Sequence, residues 1–570
     1  MPVASTTSES NPAPRDRRRR ALRALGPLLL YLLASWLCFG RAVSGDFGSE
    51  AIASTQGESG AFMWFLSWWP HAIGHGVNPF FTDQIFAPHG YNLSWATAIP
   101  GPSLVLAPVT IAFGPVVAYN VLVVLAPALS AWTAHLLCRH LTQGATAPSL
   151  LAGYVFGFSP LVLGAARGAP NLALIAMIPL VVLLLLRGSE GSIGPRRLVA
   201  GLTAALTFQF LTSTEYFALL TVFGGAILGA LALWGRSARP ALRRVARPLV
   251  LGYALTGVVV SPLLFYMLFR DHLNPVHADP QVYSSDLLSF VVPTQLQRVG
   301  RGRFAEAAAT FDLPGGLGGG GYAYVGLPLL VIVVVFAVQR WHLLVARVAV
   351  LSFAGIALAS LGPRLHIANA ETIWLPWEPL THLPLVRYAL PARFPALMFL
   401  ALAVIVAIWL ADRPGVLRWG AALAGVALLL PNLGGGLWKV DAGTPAFFSG
   451  PAHERVLSNR DRVLVVPPAG AGTRWHAVAD MAFPMALAYV GASPDADTRD
   501  PLVASLYSGQ LSPASPAQLQ RFIARRQITV IVVGPGAAGR PQDLFASLGV
   551  TPRVIGGVVV YRLAPPPPDG

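Results

Sequence analysis

The chain reads as a mainly α protein: a polytopic transmembrane helical bundle of about eleven spans with a small C-terminal α/β domain. Three observations predict this. Only 11% of the 570 residues are charged and 54% are hydrophobic, whereas a soluble domain carries about 25% charged residues. Apolar runs of roughly 16–22 residues recur along the chain, the length that a bilayer core demands. The arginines gather in short clusters between those runs. A net charge of +15 would otherwise point to nucleic acid. Its confinement to the connections excludes that and fits the excess of Lys and Arg in cytoplasmic loops.

Taken in order, residues 1–24 form a Pro- and Arg-rich tail, expected to be disordered and cytoplasmic. The first apolar run, 26–44, has a basic flank but no small-residue cleavage site, so it is expected as a retained helix. The loop 45–118 is too polar to cross a membrane and too rich in Trp and Phe for a linker. Within it Trp64, Trp68, His71 and His75 recur at helical spacing, on one face of a short amphipathic helix. Residues 103–113 are apolar but stop at Gly114-Pro115, and are expected to lie along the interface. Further spans are expected at 119–138, 148–166, 171–187, 198–213, 216–235, 247–268, 323–338, 345–361, 393–411 and 416–434. Every connection then placed inside bears arginine, from Arg139 through Arg187, Arg243 and Arg340 to Arg418. Shifting the count by one span would put them all outside. The expected location is therefore the plasma membrane, with the N-terminus cytoplasmic and the C-terminal domain outside. Cys38 and Cys138 fall near opposite faces, so no disulfide is expected.

The chain thus divides into the tail 1–24, a membrane module 25–435 and an extracytoplasmic α/β domain 436–570. In the last, 462–468, 528–534 and 554–563 read as short buried strands, and 516–526 and 541–549 as helices. The Pro-rich tip after 563 reads as disordered. The Gly-rich run 315–321 lacks the Lys and flanking elements of a phosphate loop and reads as a flexible connection.

The candidate chemistry lies at the outer face. Asp46 follows the first helix at the water–lipid boundary, where partial desolvation is expected to raise its pKa and strengthen it as a base; a plain solvated aspartate is the alternative. Glu50, Glu58, Asp83 and Glu215 are further acids. Glu215 stands at the edge of a span, where an acid is costly and often functional. Arg393, between Pro391 and Pro395 at the start of a span, and Arg387 offer positive charge for a phosphate near a helix N-terminus, or simply snorkel to headgroups. Asp286 either caps a helix or orients substrate. His71 and His75, with Asp46 or Asp83, offer ligands for a divalent metal ion; an interfacial polar face is the simpler account. The tryptophans read as interface anchors, with Trp64, Trp68, His71, His75 and Asp286 also placed to line a substrate groove.

Six stretches carry a family resemblance: Gly45-Asp46, WFLSWWPH (64–71), NPFFTDQIFAPHGYNL (78–93), GPVVAYN (114–120), YSSDLLSF (283–290) and RYALPARF (387–394). Together with one helix, a long outer loop, many spans and a C-terminal outer domain, they resemble the GT-C superfamily. They are similar in particular to a widespread bacterial group of GT-C-like membrane proteins. The resemblance implies a glycosyltransferase that moves a sugar from a polyprenyl-phosphate-linked donor to a glycan, lipid or protein acceptor of the envelope, with inversion. It also implies that the acid of the first outer loop, matched by Asp46, is the base. The paired acidic motif frequent in the superfamily is absent here, which leaves the second acid open among Glu50, Glu58, Asp83 and Glu215. Two other classes stay open: a transporter of lipid-linked sugars, and a non-catalytic envelope assembly factor. A transporter would want polar residues in the inner membrane halves, yet acids and histidines concentrate at the outer face.

Overall fold

A computed structural model describes residues 14–54, 58–270, 279–311, 321–383, 386–491, 500–508, 516–537 and 541–563. The first part of the expected tail, most of the Gly-rich run and the Pro-rich tip lie outside these residues.

Helix α1 (Pro14–Cys38) starts inside the segment expected to be an unstructured tail. The amphipathic helix of the outer loop is α2 (Ser59–Gly74). The apolar stretch expected to lie along the interface splits into α3 (Pro100–Val105) and the first turns of α4 (Ala107–Leu141). Gly114, at φ 84°, kinks α4 just ahead of Pro115, and residues such as Ile111 and Phe113 stay exposed. There follow α5 (Thr146–Gly157), α6 (Pro160–Ala166), α7 (Pro170–Ala173), α8 (Met177–Ser189), α9 (Pro195–Thr212) and α10 (Thr214–Trp234). Next come α11 (Arg239–Val259), α12 (Ser261–Phe269), α13 (Arg303–Ala308), α14 (Leu327–Arg340), α15 (Leu344–Ser360), α16 (Pro395–Asp412) and α17 (Val416–Leu429).

The count of eleven spans is not reached. Among the described residues four helices are long and apolar enough to cross a membrane, and six if two bent pairs each count as one. Proline bends two of the expected spans, 148–166 and 247–268. It cannot donate to the helical ladder and favours a helix start, so α5 and α6 break before Pro160 at 50° and α11 and α12 before Pro262 at 67°. Four further apolar helices are shorter, between 10 and 17 residues. The span expected at 198–213 is α9, whose 18 residues include Arg196, Arg197 and Gln209, too polar for the bilayer core by composition. Helix α16 is the hub, almost wholly buried among α4, α5, α14 and α15. Arg340, Asp412 and Arg418 form an ion-pair cluster that ties the ends of α14 and α16 to the start of α17, on the face expected to be cytoplasmic.

On the opposite face short strands tie the loops together. β1 (Glu50–Ala51) pairs across the molecule with β6 (Val440–Asp441), β2 (Phe81–Thr82) with β3 (Tyr91–Asn92), and β4 (Arg364–Ile367) with β5 (Ala370–Trp374). The C-terminal part holds α18 (Ala446–Ser449), α19 (Ala452–Val456), α20 (Thr473–Val478), α21 (Pro501–Ser508), α22 (Pro516–Arg526) and α23 (Pro541–Ala546). They surround a four-stranded sheet of β7 (Val463–Val466), β8 (Val530–Val533), β9 (Arg553–Ile555) and β10 (Val558–Arg562), in the order β7-β8-β10-β9. β7 and β8 run parallel and the other pairs antiparallel. The single strand expected over 554–563 is in fact a hairpin. Gly556 and Gly557, at φ 57° and 84°, make the turn that a residue with a side chain would resist.

This sheet domain sits on the first outer loop. Met485 exchanges two backbone hydrogen bonds with it, accepting from Ala87 (2.9 Å) and donating to Gln84 (3.0 Å). Gly60 of α2 lies so close that an added Cβ would be 2.1 Å from the Gly470 carbonyl oxygen.

Candidate active site

The first outer loop is pinned from α4 by two residues of the GPVVAYN stretch. Asn120 donates to the carbonyls of Phe47 (3.0 Å) and Glu50 (2.8 Å) and accepts from the Ile52 N–H (2.9 Å). The Tyr119 hydroxyl donates to the Ile52 carbonyl at 3.2 Å. At the near end of this loop Asp46 is exposed. Its carboxylate accepts from the Ser49 hydroxyl and from the N–H groups of Ser49 and Gly48. The Ser49 hydroxyl above all, then the two N–H groups, hold this carboxyl below its ordinary value. That corrects the expectation of a raised pKa: the group is hydrated rather than desolvated, and three donors favour its charged form. Glu50 is engaged by Lys439 at 2.6 Å, across the β1–β6 pair.

The far end of the loop brings three of the candidate residues together. Glu58 stands half-buried at the N-cap of α2, with no capping bond from its side chain. Its Oε1 accepts from the Tyr489 hydroxyl of the sheet domain at 2.7 Å, and its charge reaches Arg393. Arg393, just ahead of α16, pairs with Glu215 at the start of α10. Their side chains are 26% and 21% exposed. Glu215 Oε1 and the hydroxyl of the adjacent Tyr216 are buried with no hydrogen-bond partner among the described residues. Glu215 and Arg393 thus pair where α10 and α16 begin, and Glu58, at the start of α2 under Tyr489 of the sheet domain, acts on Arg393 through its charge.

The remaining candidates lie elsewhere. Arg387 is exposed, with its guanidinium on the neighbouring Tyr388 ring and hydroxyl. Asp83 is exposed in the turn after β2. Asp286 is buried and accepts from the N–H groups of Leu288 and Asn369, both at 2.8 Å; it caps a 3-10 turn and pins the β4–β5 hairpin. Trp64, Trp68, His71 and His75 do share one face of α2, as a stack of rings. That face meets protein instead of lipid. The Trp64 indole donates to His476 Nδ1 (3.0 Å), Trp68 to the Pro79 carbonyl (2.9 Å) and Trp69 to the Ala98 carbonyl (2.7 Å). The expectation of interface anchors fails for these three because the sheet domain and the loop cover them. His71 bonds Asp480 at 3.0 Å rather than Asp46 or Asp83. Among the described residues no group of three or more His, Cys, Asp or Glu is placed to hold a metal ion.

An apolar cavity of about 550 Å³ lies below the cluster. Leu220 and Leu397 line it about one helical turn beyond Glu215 and Arg393, and Leu228, Leu231, Val404 and Leu141 continue it toward the opposite face. Sequence patterns did not single out Tyr216, Tyr489 or His476. Tyr216 adjoins the flagged Glu215, but the partners of Tyr489 and His476 lie more than 400 positions away, so no local signal marks them.

No family model and no curated protein matches the chain. Solved structures do. The arabinofuranosyltransferase AftD from Mycobacteria aligns over 96% of this chain with a TM-score of 0.59 at 13% identity. The oligosaccharyltransferase of Archaeoglobus fulgidus aligns over 90% with a TM-score of 0.52 at 10% identity, covering 70% of that protein. The same enzyme with zinc and sulfate gives 0.53 over 89%. The chain spans 40% of the length of AftD. At these identities the likeness shows the fold alone: the chain shares the fold of these membrane proteins.

Proposed function

We propose that this protein is a GT-C-type glycosyltransferase of the plasma membrane. It moves a sugar from a polyprenyl-phosphate-linked donor to an envelope glycan, lipid or protein acceptor on the outer face, with the N-terminus cytoplasmic and the sheet domain outside. One observation carries this reading. Arg393, held by Glu215 and within electrostatic reach of Glu58, stands about one helical turn from an apolar cavity, on a fold shared with AftD.

In this reading Arg393 holds the donor phosphate and the cavity takes part of its isoprenoid tail. Glu58 removes the proton from the acceptor hydroxyl. The acceptor oxygen bonds the anomeric carbon as the bond from that carbon to the phosphate oxygen breaks. The electron pair stays on the departing phosphate, where Arg393 balances the charge. A single displacement inverts the anomeric centre. Glu58 is preferred to Asp46 because Asp46 already spends its carboxylate on its own turn, in water, with its basicity lowered. Glu215 keeps Arg393 in place between turnovers.

The test uses purified protein in proteoliposomes, with sugar label on either a polyprenyl phosphate or a nucleotide. Label is expected to reach acceptor only from the polyprenyl donor. Transfer only from the nucleotide sugar would reject the donor class. Donor crossing the bilayer without transfer would mark a transporter.

A further inference from the structure

The sheet domain docks on α2, the helix that begins at Glu58, through three independent contacts. Gly60 meets the Gly470 backbone with no room for a side chain. The Trp64 indole bonds His476. Nearest the cluster, the Tyr489 hydroxyl donates to Glu58 Oε1 at 2.7 Å. The other oxygen, Oε2, looks toward Gly491, where an added Cβ would stand 4.0 Å away and none exists. Gly491 is at φ 89°, so a side chain there would also be strained. Among the described residues, one oxygen of Glu58 is therefore held by Tyr489 and the other accepts no hydrogen bond and faces the Gly491 backbone.

We propose that Tyr489 is a positioning residue for the transfer, and that the C-terminal domain is part of the active site: its phenol fixes the Glu58 carboxylate with Oε2 turned to the acceptor. This rests on the role of Glu58 given above. Tyr489 suits the task because it stays a donor at neutral pH. Burial, and next the Glu58 carboxylate itself, push its phenol above the ordinary value. Among the described residues, the charged and titratable groups that act on or bond Glu58 are Arg393 just ahead of α16, with Glu215 paired to it from α10, and Tyr489. Behind Tyr489 stand Tyr283 and Tyr507. Tyr507 donates to the Ala488 carbonyl at 2.7 Å and serves as the control for loss of a nearby phenol.

The experiment compares wild type, Glu58→Gln, Tyr489→Phe and Tyr507→Phe, all full-length in proteoliposomes. Phe keeps the ring and its packing, and unfolding profiles confirm that each variant is intact. Tyr489→Phe is expected to lower kcat by about 10- to 100-fold, the worth of a hydrogen bond to a charged group, with donor binding unchanged. Tyr507→Phe keeps the wild-type kcat and donor binding. Wild-type kcat in Tyr489→Phe, with Glu58→Gln inactive, overturns the role of Tyr489 and leaves the base assignment standing. Full activity in Glu58→Gln overturns both.

Discussion

The docking of the sheet domain on α2 is expected to be acid-labile, through His476. The Trp64 indole can only donate, so His476 Nδ1 must accept; the Phe483 carbonyl can only accept, so Nε2 carries the proton and donates at 2.8 Å. The ring is thereby fixed in one neutral tautomer. Burial is the largest cause that pushes its pKa down, from 6.5 to about 4, with His71 adding to the effect while the Phe483 carbonyl and Asp480 oppose it. A histidine with a depressed folded value binds its proton more readily when released. Its contribution is therefore complete above about pH 6.5 and is lost as pH falls toward 4. The depression from 6.5 to about 4 corresponds to about 3 kcal/mol across the window, or a few hundredfold in the population of undocked domain. Limited proteolysis or amide exchange of α20 and β7, at pH 7.5 and at pH 4.5, reads that population. Protection is expected to fall at pH 4.5 in wild type and to lose most of this dependence in His476→Gln. Equal protection at both pH values, or an unchanged dependence in the variant, would refute the reasoning.

Other outcomes follow from the same geometry. Arg393→Ala is expected to weaken binding of polyprenyl phosphate at least tenfold in a fluorescence assay, with Arg393→Lys restoring only part, since a point charge replaces a fork; unchanged affinity would return Arg393 to a structural partner of Glu215. At the sheet, burial works to raise the Asp461 carboxyl, but Arg562, the Ser458 N–H and Thr529 outweigh it and hold it low. Its stabilisation is present above the ordinary carboxyl range and lost as pH drops through the depressed value, and Asp461→Asn should cost the domain about 2–3 kcal/mol in denaturant. Gly556→Val should destabilise the domain as well, because its φ is 57° and an added Cβ would lie 2.6 Å from the Phe447 nitrogen; an unaltered unfolding midpoint would contradict that. Reporter fusions after Arg243 and after residue 500 should report cytoplasm and exterior respectively, and the reverse would overturn the orientation.

Local patterns made some features legible and not others. The ring stack of α2 follows from helical spacing, and helix α22 from its amphipathic run. What covers that stack could not be read, because the Trp64–His476 contact joins positions 412 apart. Helix breaks were not legible, because an apolar run does not reveal where Pro160 or Pro262 bends it. Among the acids, proximity to the first helix favoured Asp46. The structure surrounds Asp46 with its own donors and puts Glu58 within electrostatic reach of Arg393, which lies far from it in the chain.

The most direct test of the central claim is single-turnover transfer from a polyprenyl-phosphate sugar by Glu58→Gln and Asp46→Asn, measured alongside wild type. Glutamine and asparagine keep the shapes but cannot take the proton. Glu58→Gln is expected to keep donor binding and to lose about 10²–10⁴-fold in turnover, with Asp46→Asn within a few-fold of wild type. The opposite ranking would move the base to Asp46, and full turnover in both variants would contradict a carboxylate of the first outer loop as the catalyst.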